Sequence, residues 1–173
     1  MKTEEQLVLV DENDNDLGFC EKARTHQEGR LHRAFSIFIL NGDNKLLLQK
    51  RAERKYHSGG LWSNTCCGHP RPGEKVLDAA KRRLNEEMGV KCPLGELFSL
   101  RYRVRFENNI IEHEYDHVLM GSFQGSPKPD PKEACDWKWV DPLWVRRDAR
   151  DNPRNYTWWF SLLIGRVVKE LEL

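Results

Sequence analysis

Residues Gly68–Val90 read GHPRPGEKVLDAAKRRLNEEMGV, and their spacing decides how the rest of the chain is read. Val76, Leu77, Ala80, Leu84 and Met88 recur at helical intervals, so a helix buries one stripe here. Gly89 follows as its stop, because glycine takes the left-handed conformation that ends many helices without a Cβ clash. Arg83 and Glu87 are four residues apart and share a helix face, and Glu86 projects from the adjacent position. Carboxylates beside guanidinium groups make a cradle for a magnesium-bound phosphate: oxygens for the metal, a planar donor fork for the anion. The commoner use of the same pattern is a solvated charged face, and the helix alone does not choose between the two.

Outward from this segment, short apolar runs alternate with turn signals. Gln6–Val10 reads as a strand, with Leu17–Cys20 as its hairpin partner beyond the turn-rich DENDND. Ala34–Leu40 and Lys45–Lys50 read as two strands joined by NGDN, a strong hairpin signal. Segment 52–64 reads as irregular, and EKARTHQEGRLH as a loop. Leu94–Phe106 and Ile110–Met120 read as strands around ENN, and GSPKPDPKE as a surface loop. Ala134–Val140 alternates like a strand, and Tyr156–Leu171 has the period of a terminal helix. Strands with a central and a terminal helix predict an α/β (α+β) sandwich, a mixed β-sheet with flanking helices.

The chain has 173 residues and a formal charge of +1, which predicts one domain over 1–173 and argues against a general nucleic-acid binder or a membrane-surface protein. No apolar run approaches the span of a bilayer, and the N-terminal residues carry no secretory pattern, so the cytoplasm is the expected compartment. Five cysteines without a C-x-x-C pair fit reduced thiols better than a disulfide framework or a zinc ribbon.

Two sets of ligand-type residues lie far apart in sequence. Glu112 and Glu114 are two apart on a strand and so point to one face. His26, His32 and His69 come from separate segments. Were all five to meet, three imidazoles and two carboxylates would make a site for zinc, manganese or iron. A lone histidine is more often a surface or core residue, and a paired-glutamate face is more often solvated, so spacing leaves this open. In GLWSNTCCGHP, Cys66 and Cys67 are neighbours, and Cys67 precedes Gly68-His69. An isolated thiol ionises near pH ~8.5, which leaves Cys67 open as thiol or thiolate near neutrality.

Gly68–Val90 resembles the Nudix box, with Gly68, Glu74, Arg82, Leu84, Glu86, Glu87, Gly89 and Val90 in register and Arg83 where the box has glutamate. RLHRAF, WSNTCCGHP, the altered box, LRYRVRF and EHEYDHV, in that order, are similar to the type I isopentenyl-diphosphate isomerases, a Nudix branch, over about Lys22–Trp158. The resemblance implies a Nudix-type sandwich and the interconversion of isopentenyl and dimethylallyl diphosphate by protonation and deprotonation through a tertiary carbocation. It implies Cys67, Glu114 and Tyr102 as catalytic, and Lys22, Arg51, Lys55 and Arg83 as a diphosphate clamp. Trp158 is implied as an aromatic wall, with Trp62 a second candidate. His26, His32, His69, Glu112 and Glu114 would hold Mn2+ or Zn2+, and Glu87 with the backbone oxygen of Cys67 would hold a Mg2+ arriving with the diphosphate. The expected partner is a small prenyl diphosphate, with no nucleic acid or membrane; a monomer is expected, a homodimer being the alternative. The rival activity is hydrolysis of a diphosphate, as in ordinary Nudix enzymes, and Arg83 argues against it.

Overall fold

In the computed structural model, residues 5–172 are described. Nine strands among them form one sheet. β1 (Gln6–Val10) and β2 (Asp16–Glu21) make an antiparallel hairpin. The central strand is β3 (His32–Leu40), which turns at Asn41–Lys45 into β4 (Leu46–Arg51). Asn41 drives that turn, its side-chain oxygen accepting from the backbone N–H of Asp43 and Lys45 at 3.0 and 2.9 Å. β5 (Trp62–Ser63) pairs with β4, and β6 (Cys66–Gly68) pairs antiparallel with β3. β7 (Leu94–Arg105) and β8 (Ile111–Ser122) form a long hairpin, and β9 (Ala134–Val140) returns to β4. The sheet is mixed because β8 lies parallel to β3 while the other pairings are antiparallel.

Period-two alternation in β3 and β4 sorts side chains onto two helix layers. Phe35, Ile37, Ile39 and Leu47 pack with Ala80, Leu84 and Met88 of α2 (Val76–Met88). Phe38, Leu46 and Leu48 face the other way, onto Val145 of α3 (Pro142–Asp151) and Phe160, Leu163 and Val167 of α4 (Trp158–Glu170). Gly89 ends α2 at φ 63°, its N–H donating to the Asn85 carbonyl. The buried polar end of β3, at His32 and Ser36, shares the α4 side with Phe38, and the site is built there. None of the helices among the described residues is long and apolar enough to cross a membrane.

Two helices differ from the sequence reading. EKARTHQEGRLH is not a loop: Lys22–Glu28 forms a seven-residue helix, α1, closed by Gly29 at φ 64°. Two turns are too short to show a 3.6-residue apolar period, so only the helix-forming residues and Gly29 signalled it. α3 was absent from the sequence reading. Asp141 caps it by accepting from Trp144 N–H at 2.7 Å, and Pro142 starts it, a start signal legible in the dipeptide itself.

Candidate active site

Strand register assembles the first half of the site. His32 lies beside Glu114 in the parallel β3–β8 pair, and Tyr102 lies opposite Glu114 in the β7–β8 hairpin. Glu112, Glu114 and Asp116 alternate along β8, so three carboxyl groups project from one face. α1 delivers His26 from one side and the chain after β6 delivers His69 from the other. His26 Nε2 and His32 Nε2 stand 3.3 and 3.7 Å from Glu112 Oε2, and His69 Nε2 is 3.1 Å from Glu114 Oε1. His32 Nε2 is also 3.6 Å from Glu114 Oε1.

One ligand atom from each of His26, His32, His69 and Glu112 falls within 4.8 Å of all the others. His26 Nε2, His32 Nε2 and Glu112 Oε2 are buried with no hydrogen-bond partner. Buried polar atoms without partners cost about 1–3 kcal/mol each, so three converging on one point signal something that binds them all. His32 Nδ1 lies 2.9 Å from the Arg30 carbonyl, which only accepts; Nδ1 therefore carries a proton and Nε2 presents its lone pair in the neutral ring. The donor set fits a divalent metal. Burial, then the neighbouring His69 and His32 rings, push the His26 pKa down to about 3, so that ring is neutral, as a ligand must be. Burial also penalises a charged His32, but the Glu114 carboxylate 3.6 Å away outweighs it and its pKa is raised. For Glu114 burial opposes ionisation, yet the His32 and His69 rings beside it hold its pKa well below the usual range. Both shifts express one attraction, carboxylate for cation.

The second half is a thiol. β6 sets Cys67 opposite Ser36 of β3. Asn64 Nδ2 lies 3.1 Å from Cys67 Sγ, Asn64 Oδ1 lies 3.3 Å from it, and Ser36 Oγ is 3.7 Å away. Ser36 also donates to Asp116 Oδ2 at 2.8 Å. Burial, then the charge of Asp116, pushes the Cys67 pKa up to about 12. A pKa raised that far favours the thiol over the thiolate at neutral pH. Glu114 Oε2 accepts from the Tyr102 hydroxyl at 2.5 Å. Cys67, Glu114 and Tyr102 all line one cavity of about 890 Å³. Cys66 is fully buried in the α2-side core.

The cavity also takes in Lys22, Arg51, Lys55 and Arg83. Each cation already has a partner. Arg83 reaches Glu87 Oε1 at 2.5 Å, Glu86 Oε2 at 2.7 Å and Glu133 Oε1 at 3.2 Å. Lys55 pairs with Glu133, and Lys22 with Glu5 at 2.9 Å. Arg51 donates to the His57 carbonyl at 3.3 Å and lies over the Trp159 ring, 5.2 Å from its centroid. Glu87 stands apart from the imidazole cluster, its Oε2 accepting from Gln49 at 3.0 Å. Glu74 and Arg82 make a bidentate pair at 2.8 Å for each bond, which ties the approach loop to α2.

Comparison with known proteins places this geometry in a family. The NUDIX domain model matches residues 30–160. An isopentenyl-diphosphate Delta-isomerase 2 of Aromatoleum aromaticum is 53% identical over 95% of this chain and 87% of its own length. The isopentenyl-diphosphate Delta-isomerase of Burkholderia multivorans is 53% identical over 95% of this chain and 93% of its own. The chain belongs to the isopentenyl-diphosphate Delta-isomerase family, within the Nudix superfamily. Among solved structures, a Deinococcus radiodurans protein superposes with a TM-score of 0.78 over 94% of this chain and 98% of its own, at 18% identity, which speaks to the fold alone.

With the family established, the expected residues can be located. Lys22, Arg51, Lys55, His69, Arg83, Glu87, Glu112 and Glu114 border the cavity with Cys67 and Tyr102, while His26 and His32 are buried beside the two glutamates. Trp158 does not border it: its side is 41% exposed and its ring lies 5.4 Å from that of Tyr102. One residue further along α4 turns by about 100°, and so Trp159 is the tryptophan facing the cavity. Trp62 is packed against the α4-side core with Lys138 Nζ 4.0 Å from its ring, the ordinary packing role. Five residues near the chemistry had no role assigned from the sequence, Asn64 beside the Cys67 thiol among them. Asp116 was within the quoted EHEYDHV and two residues on from Glu114, a periodicity that was available. Ser36 needed the β3–β6 register, and Tyr56 and His57 sit in an irregular segment with no period to read.

Proposed function

We propose that this chain, as one Nudix-like domain over residues 1–173, interconverts isopentenyl and dimethylallyl diphosphate, with Glu114 and Cys67 moving protons on opposite sides of the alkene. The observation that carries the reading is that a half-buried thiol and a hydrogen-bonded carboxyl line the same cavity whose border holds four cations. Protonating an unactivated alkene creates a tertiary carbocation, which water would trap, so the reacting groups must be enclosed and fixed. Glu114 is held by Tyr102 on one oxygen and faces the imidazoles with the other. Burial and the charge of Asp116 keep Cys67 a thiol, while Asn64 and Ser36 lie where they steady the thiolate, so it can give a proton or, as thiolate, take one back. The reaction is reversible, and each group therefore acts as acid in one direction and base in the other. Trp159 presents an aromatic wall, and a desolvated cation–π contact is worth about 2 kcal/mol.

His26, His32, His69 and Glu112, with Glu114 beside them, would hold the resident divalent ion, Mn2+ or Zn2+ by their mixed nitrogen and oxygen donors. A cation bound there supplies positive charge that makes a neighbouring carboxyl more acidic. Glu87 is a single carboxylate outside that cluster, which suits a Mg2+ that keeps its waters and arrives on the diphosphate. Lys22, Arg51, Lys55 and Arg83 take the diphosphate. Arg83 occupies the box position where a hydrolase carries glutamate, and it adds a donor for the anion where a hydrolase has a metal ligand. Cys20, Cys66, Cys67, Cys92 and Cys135 are all free, in keeping with the proposed cytoplasmic setting.

The test is proton NMR of isopentenyl diphosphate with the protein and Mg2+ in deuterated water. Dimethylallyl diphosphate with solvent deuterium incorporated is expected. Release of phosphate without a shifted double bond would contradict the reading.

A further inference from the structure

Each metal-facing carboxylate has two oxygens with different neighbours. Glu114 turns Oε1 to His32 and His69 and gives Oε2 to Tyr102. Glu112 follows the same plan: Oε2 faces His26 and His32, and Oε1 lies 3.2 Å from His57 Nε2. His57 is nearly buried and aromatic rings surround it. Phe106 stacks on it at 4.9 Å, Tyr56 meets its edge at 4.5 Å and Trp159 at 5.6 Å. Its other nitrogen, Nδ1, lies 3.2 Å from the Ser58 hydroxyl. A hydroxyl donating to Nδ1 leaves the ring proton on Nε2, aimed at Glu112.

The neighbouring residue makes the same kind of contact. The Tyr56 hydroxyl is 2.9 Å from His26 Nδ1, on the far side of the ring from the nitrogen that faces Glu112. Both residues belong to the excursion between β4 and β5, whose base is closed by Gly60 N–H to the Arg51 carbonyl at 3.0 Å and Arg51 N–H to the Leu61 carbonyl at 2.9 Å. The tip is anchored mainly by site residues: His26, Glu112, and Glu133 through Lys55. Asn108 adds one bond to the Tyr56 carbonyl at 3.1 Å. Lys55, one of the four cations, is therefore adjacent in sequence to the two residues that brace the metal ligands.

We infer that His57 and Tyr56 are positioning residues for the metal site, His57 holding Glu112 to one metal-facing oxygen and Tyr56 orienting His26, and that through their loop metal occupancy orders Lys55 for the diphosphate. The inference rests on the proposed function's assignment of the cluster to a divalent ion. Outer partners of metal ligands fix ligand orientation, and their loss typically weakens metal binding about 10–100-fold. Occupancy of the ion and order of the loop then favour each other, as linked equilibria must.

The experiment titrates metal-free protein with Zn2+ against a colorimetric chelator and follows amide hydrogen exchange at residues 53–60 with and without the ion. His57→Phe keeps an aromatic ring for the stack and removes the donor; His57→Gln keeps an N–H donor; Tyr56→Phe changes only a hydroxyl on a half-exposed ring. The expected result is a Kd for Zn2+ weakened about 10–100-fold in His57→Phe, restored to within about 5-fold in His57→Gln, and weakened about 3–10-fold in Tyr56→Phe. Zn2+ is expected to slow exchange across 53–60 in the wild type and to do so less in His57→Phe. Should His57→Phe fail to fold, an unchanged Kd in Tyr56→Phe still overturns the inference. Wild-type protein that binds Zn2+ while His57→Phe binds equally well, or loop exchange indifferent to Zn2+, overturns the inference alone. Wild-type protein that binds no Zn2+ overturns the metal-site reading beneath it as well.

Discussion

The two ends of the cavity meet their charges in opposite ways. At the imidazole end, His26 Nε2, His32 Nε2 and Glu112 Oε2 converge and are left without partners. At the cation end three of the four charges are paired with carboxylates, Arg83 with Glu86, Glu87 and Glu133, Lys55 with Glu133 again and Lys22 with Glu5, while Arg51 meets the His57 carbonyl and the Trp159 ring. A site for a resident ion is rigid strand and helix holding unmet donors. A site for a substrate that comes and goes keeps its cations solvated or paired, and exchanges an internal carboxylate for the incoming diphosphate. The first end is set largely by strand register, the second by long side chains from α1, β4, α2 and the excursion after β4.

The contrast breaks most sharply at Glu114, the residue shared between the metal cluster and the reacting space. Glu114→Gln keeps shape and hydrogen-bonding capacity toward Tyr102 but cannot carry the proton. Turnover is expected to fall by about 10³-fold or more, at the upper range for general acid–base catalysis, with the thermal midpoint little changed. Steady-state kinetics beside a melting curve checks it; a loss under tenfold would contradict the role.

The thiol gives the next largest effect through pH. An acid whose pKa is raised is neutral below it, so with Cys67 pushed up to about 12 the thiolate is scarce through pH 7–10. Alkylation of Cys67 by iodoacetamide, read by peptide mass spectrometry, is expected to rise about tenfold per pH unit across that range, because the thiolate alone reacts. A plateau below pH 9.5 would contradict the raised pKa. Exposed Cys135 serves as the internal control.

At the cation end the effects are smaller and fall on binding. Arg83→Gln removes a charge-assisted donor, and about 1.5–3 kcal/mol corresponds to a KM raised roughly 10–150-fold with kcat less affected. Glu133→Gln sharpens the comparison with the opposite sign. Freed from that carboxylate, Lys55 and Arg83 are expected to bind diphosphate about 2–5-fold more tightly, the modest scale of a partly exposed pair. A weakened KM in Glu133→Gln would mean the carboxylate helps to hold the anion rather than competing with it.

What the sequence disclosed follows the same division. The box helix, the NGDN hairpin and the β7–β8 pair were legible because each is a local pattern, a period or a turn. Glu112 and Glu114 on one face followed from a period of two. His26 was harder, since its helix is too short for a period and Gly29 alone marks its end. Trp158 and Trp159 could not be told apart in the sequence because adjacent helical positions differ only in direction, which the packing of α4 on the sheet decides. His57, Tyr56 and Ser36 depend on contacts across 20 or more residues and on a loop without a repeat, where no sequence pattern reaches. The pairing of Lys55 and Arg83 with Glu133 is equally invisible, since Glu133 reads as one more acid in a surface loop.

The account turns on Cys67 and Glu114 facing one reacting space, and the most direct test is Cys67→Ala in steady-state kinetics with metal content measured on the same sample. The chain as described predicts kcat reduced by about 10³-fold or more while KM and bound metal stay within about twofold, because alanine removes the proton and leaves both ends of the cavity intact. A variant that keeps kcat within tenfold of the wild type would show that the thiol takes no part in the proton transfer.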